Sequence, residues 1–78
     1  MSSDHWRMRL NNYLQERGER STLSWDVWTT GPAHRLTWHA ILYVRGCQMG
    51  TARGQHRGAV KEEAARQAYL ALHNTYSS

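Results

Sequence analysis

Over residues 4 to 17 the apolar side chains Trp6, Leu10, Tyr13 and Leu14 recur at i, i+4, i+7 and i+8, the spacing of one face of an α-helix. The pattern predicts an amphipathic helix that starts at Asp4, a residue type that caps helix starts, and runs to about Arg17, with Gly18 as its stop. Another face of that helix shows Met8 and Asn12 one turn apart, with Arg9 beside them. The period then falls to two. Leu23, Trp25 and Val27 alternate with Ser24, Asp26 and Trp28, which predicts a strand broken by Gly31-Pro32. Leu36, Trp38, Ala40, Leu42 and Val44 alternate with Thr37, His39, Ile41 and Tyr43, a second and longer strand ending at an Arg45-Gly46 turn. A third, short strand is expected around Cys47 to Thr51, and Gly50, Gly54 and Gly58 read as a glycine loop after it. Val60, Ala64, Ala68 and Leu72 then mark every fourth residue of a second helix ending near His73.

The predicted order is αβββα. Two helical stripes and one face of a sheet must cover each other, so the expected class is α+β: a sandwich of a three-stranded antiparallel sheet with two helices packed on one face. Seventy-eight residues without repeat, linker or low-complexity segment imply one domain over 1–78. A 40% hydrophobic share, with four Trp and four Tyr, is enough for a core and argues against a disordered tail.

Cys47 is the lone cysteine, so no disulfide can form within the chain, and a free thiol fits the cytoplasm or nucleus. Met1 to Asp4 lack the charged and apolar regions of a signal peptide, and no apolar run reaches the roughly 18 residues of a membrane span. The expectation is a cytoplasmic or nuclear chain without a membrane partner.

Enzymatic chemistry finds little footing. No Cys or His pair has zinc-ligand spacing except His34 with His39, which point to opposite faces if both lie on one strand. Neither a nucleophile motif nor a phosphate loop occurs, and Cys47 reads as a small strand hydrophobe. Glu62 and Glu63 are helix neighbours that diverge, suited to favourable charge near a helix start rather than paired acid-base work. No catalytic residue, metal or cofactor is expected.

Charge is more telling. The net charge is +4, and the six acids leave residues 27 to 61 without a carboxylate, a stretch holding Arg35, Arg45, Arg53, Arg57, Lys61, His34, His39 and His56. Arg57 and Lys61 stand one turn apart where the second helix begins, beside backbone N–H groups that favour phosphate. Cations there oppose the helix dipole and call for an anion. Arg53 and His56, in the expected glycine loop just ahead, would join them.

With these features in place, the chain resembles the double-stranded RNA-binding domain family from about Trp6 to Leu72. The likeness rests on the αβββα order, on Gly31-Pro32-Ala33-His34, similar to the family's Gly-Pro-x-His turn, and on residues 50 to 61, similar to its glycine loop and Lys-Lys-x-Ala-Lys helix start. Ala64, Ala65 and Ala68 follow as its alanine-rich helix. The resemblance implies double-stranded RNA as partner and no catalysis. Arg57 and Lys61 would meet phosphates across the major groove, while Pro32, Ala33 and His34 would contact 2′-hydroxyls. Met8 and Asn12 would read a neighbouring minor groove. Two departures stand out: Gly58 replaces the middle Lys, and Asn12 replaces a usual Glu.

A second reading gives the same fold to a protein partner or a homodimer, through Trp28, Ile41 and Tyr43 on the solvent side of the sheet. An ordinary cross-strand aromatic cluster explains those residues equally well.

Overall fold

Gly18 ends the first helix as expected. Its φ is +69°, a conformation that suits a residue without Cβ. The amides of Gly18 and Glu19 donate to the carbonyls of Gln15 and Leu14 at 3.0 and 2.7 Å, the paired bonds of a Schellman closure. In the computed structural model, which describes residues 5–77, this helix, α1, spans His5–Glu16. The expected Asp4 cap lies outside the described residues. A 3₁₀ turn at Arg20–Thr22 leads to β1 (Leu23–Thr30), β2 (Thr37–Val44), β3 (Cys47–Gly54) and α2 (Arg57–Ser77).

The three strands form one antiparallel sheet in the order β1-β2-β3. Alternation decides which side chains go inward. Ala40, Leu42 and Val44 are buried with Leu10 and Leu14 of α1 and Ala64, Ala65, Ala68 and Leu72 of α2, while Leu23, Trp25 and Ala52 pack on this cluster. Both helices therefore lie on one face of the sheet. The α2 helix covers β2 and β3, and α1 packs along α2. Burying such apolar side chains contributes roughly 1.5–3 kcal/mol for each large one.

Several boundaries differ from the sequence expectation. Gly50 and Gly54 are strand residues of β3, and Gly58 lies in α2. The reason at Gly50 is close packing: a Cβ there would come within 2.1 Å of the Ala64 carbonyl oxygen of α2. Glycine marks a strand crossed tightly by a helix, not a loop. One residue earlier, Met49 is the extra residue of a bulge, since Leu42 pairs with Gly50 but Tyr43 pairs with Gln48. Leu36 precedes β2 and is exposed, and Cys47 opens β3 with its side chain exposed rather than as a packed hydrophobe. The α2 helix continues past His73. No described helix is long and apolar enough to cross a membrane.

Candidate nucleic-acid interface

The first turn of α2 carries Arg57 and Lys61, and the fold seats each on a tryptophan. Lys61 Nζ lies 4.8 Å from the Trp25 ring centroid, and the Arg57 guanidinium carbon lies 5.9 Å from that of Trp38. Both rings come from inward positions of neighbouring strands, so the helix-covered face of the sheet supplies two aromatic seats for two cations. The amide of Val60 donates to the His56 carbonyl at 3.0 Å, which makes His56 the residue heading the helix. The next backbone N–H groups belong to a helix start, where no intrahelical acceptor exists. Partial burial, then the charges of Arg57 and Arg7, hold the Lys61 ammonium below the ordinary lysine range. Cations crowd one another here, and a bound anion would relieve them.

The other two patches flank this turn. Between α1 and β1 runs an open cleft of about 650 Å³, bordered by Met8, Asn11 and Asn12 of α1, Trp25 of β1 and Lys61 of α2. Met8 is 58% exposed, a large apolar side chain left in solvent beside polar amides. Arg9 turns elsewhere, its guanidinium 5.5 Å from the Trp6 ring. On the opposite flank, the loop between β1 and β2 is closed by the Arg35 amide donating to the Pro32 carbonyl at 2.9 Å. Gly31 adopts φ +91°, and a Cβ there would approach the Arg35 carbonyl oxygen to 2.9 Å. That turn leaves Pro32, Ala33 and His34 exposed. Ala33 and His34 border a recess together with His56 and Trp38, the ring that seats Arg57. Residues far apart in sequence thus meet through the first turn of α2.

Arg53 is the exception. It lies in β3, directly opposite His39, and points to the sheet face away from the helices rather than joining Arg57 and Lys61. The reason is the added length of β3, which turns an expected loop position into an outward strand position. Trp28, Ile41 and Tyr43 share that outer face, with Trp28 exposed and the other two half-buried. His39 is held there by Thr30, whose Oγ1 lies 2.8 Å from His39 Nε2. Among the described residues, no group of three His, Cys, Asp or Glu is placed to hold a metal.

Glu62 does something its sequence position does not suggest. Buried on α2, it accepts hydrogen bonds from the Trp6 amide and, at 3.4 Å, the Arg7 amide, and lies 3.3 Å from Arg7 Nε. It serves the start of α1 rather than its own helix. Glu63 does stay local: Arg66 donates to both of its oxygens at 2.9 and 2.7 Å and Gln67 adds a third bond, which hold its carboxyl at about 2. Sequence reasoning missed Arg7, Trp25, Trp38 and Glu62 as members of the site. Arg7 alone had a signal, one helical turn before Asn11.

No family model matches the chain. Two curated proteins named Ribonuclease 3, from Corynebacterium efficiens and Corynebacterium glutamicum, are each 31% identical to it over 67 residues. The match takes in 86% of this chain but only 27% of each relative, so the chain spans about a quarter of their length. Among solved structures, the first dsRBD of protein HYL1 superposes with a TM-score of 0.73 at 23% identity, over 86% of this chain and 94% of that one. This chain therefore has the αβββα fold of a double-stranded RNA-binding domain.

Proposed function

We propose that the chain is a non-catalytic module that binds double-stranded RNA by shape and charge. One observation carries the reading: the tryptophan-seated pair Arg57 and Lys61 lies between the Met8 and Asn12 cleft and the His34 recess. A-form RNA buries its base edges in a deep, narrow major groove, so a protein recognises it by phosphates and by 2′-hydroxyls across successive minor grooves. In this reading Arg57 and Lys61 bridge phosphates, with His56 beside them. Pro32, Ala33 and His34 approach one minor groove, and Met8 and Asn12 approach the next. Asn12 supplies both a donor and an acceptor, which suits a 2′-hydroxyl. Arg53, on the other sheet face, is not part of this set. The likeness to proteins named Ribonuclease 3 fits a targeting segment attached to catalysis housed elsewhere.

The test is a titration of one RNA duplex and the DNA duplex of the same sequence. We expect clear preference for RNA, and a log-log salt slope near −2, since two cations release about 0.9 counterions each on the B-DNA calibration. Arg57→Ala/Lys61→Ala should weaken RNA retention at least tenfold at moderate salt. Equal affinity for RNA and DNA, or retention unmoved by the double substitution, overturns the proposal.

A further inference from the structure

The outward face of the sheet carries a second set of groups that the duplex reading leaves unused. Trp28 of β1 stacks on its register partner His39 of β2, with ring centroids 5.2 Å apart and planes 7° from parallel. Thr30 fixes the imidazole through its hydroxyl. His39 is in turn the register partner of Arg53 in β3. Trp28, His39 and Arg53, with Ile41 and Thr51, border an open depression of about 460 Å³ on the face away from both helices.

We infer that this depression binds an unpaired nucleotide of single-stranded RNA, its base on the Trp28–His39 stack and its phosphate at Arg53. Three observations favour that occupant. First, Trp28 is spent differently from Trp25 and Trp38: those two are half-buried beneath cations, whereas Trp28 is 43% exposed and no element covers it. Second, the rings are stacked in nearly parallel planes and His39 is held in orientation, so an aromatic face is already ordered before any ligand arrives. Base stacking on such a surface tolerates any base. Third, the charge suits a phosphodiester. Strands β2 and β3 contain no carboxylate, and the depression has Arg53 on its β3 side. Asp26, opposite Ile41 on β1, is the one acid among the outward strand residues, and it steers an anionic backbone toward β3. The Trp28 ring, the Thr51 hydroxyl and the Arg53 guanidinium on neighbouring outward positions match the parts of one nucleotide: base, ribose and phosphate.

The site is independent of the duplex interface, and the experiment keeps the two apart. The full chain is titrated with a short single-stranded oligouridylate and, separately, with a blunt RNA duplex, while the indole N–H signals of its tryptophans are followed by NMR. The Trp28 signal, identified by its absence in Trp28→Ala, should move with the oligouridylate, while those of Trp25 and Trp38 stay in place. Trp28→Ala and Arg53→Ala should each weaken oligouridylate binding about tenfold and leave blunt-duplex retention unchanged. Trp28→Leu and Trp28→Phe guard against a folding defect. Leu keeps the apolar bulk and should lose binding, whereas Phe keeps a stacking ring and should retain most of it. Oligouridylate binding indifferent to Trp28→Leu overturns the inference. So does a Trp28 signal that moves with protein concentration alone, which would assign the face to a second copy of the chain. Loss of duplex binding with the oligouridylate response intact would instead overturn the proposed function and leave this site standing.

Discussion

Gly58 sits in the first turn of α2 with nothing within 4 Å of where a Cβ would be. Its neighbours Arg57 and Lys61 already carry the cationic patch, so a side chain at 58 would extend into open space beside them. Gly58→Lys should therefore act on binding more than on stability. Lysine gains up to about 1 kcal/mol over glycine in a helix interior, but a third cation in the first turn opposes the dipole by a similar amount, so the substitution should leave the melting temperature nearly unchanged. It should add one phosphate contact, tightening duplex binding and steepening the log-log salt slope by about 0.9. An unchanged slope under Gly58→Lys would place residue 58 away from the RNA backbone. At this scale the pair Arg57 and Lys61 was legible, because helical spacing alone puts them on one face. Their seats were not. That Trp25 and Trp38 lie beneath them depends on where α2 crosses the sheet, which no local pattern encodes.

The helices are tied together by a carboxylate. Glu62 of α2 accepts from the Trp6 and Arg7 amides at the start of α1, replacing a local cap with a tertiary one. The α1 helix, which presents Met8 and Asn12, is thereby set relative to α2, which presents Arg57 and Lys61. Glu62→Ala leaves those half-buried amides without their acceptor, a lost helix cap that costs about 0.5–2 kcal/mol. Urea unfolding followed by circular dichroism should show a lower midpoint, and Glu62→Gln, which keeps an acceptor oxygen, should recover part of the loss. A Glu62→Ala protein as stable as the original would remove the capping role. The elements themselves were visible in the sequence because the hydrophobic period switches from helical to two and back. The error at β3 came from glycines. Gly50 and Gly54 look like loop residues in isolation, yet a Cβ at 50 would strike the Ala64 carbonyl and one at 54 would press Val60 to 3.2 Å. Helix-on-sheet contact dictated them, and the same error misplaced Arg53.

Across the whole molecule, charge is partitioned by the fold. The acid-free stretch from 27 to 61 was plain in the sequence, but only the folded chain shows that it divides between two surfaces, with Arg57 and Lys61 on one and Arg53 on the other. The consequence is a pH dependence at the first surface. Lys61 has its pKa lowered by desolvation, then by Arg57 and Arg7. A phosphate placed against it favours the charged form and raises that pKa again. Between the free and bound values, binding must take up a proton. Duplex affinity should be flat with pH well below the free-state pKa of Lys61 and should fall as pH rises through it. Arginine stays protonated throughout this range, so Lys61→Arg should keep binding and flatten the alkaline limb. Using the same duplex with both proteins cancels any titration of its bases. Calorimetry in two buffers of different ionisation enthalpy should record proton uptake for the original chain and less for Lys61→Arg. Parallel pH profiles for the two proteins would mean that no phosphate reaches the lysine, and the cation seated on Trp25 would then belong to the architecture of the cleft alone.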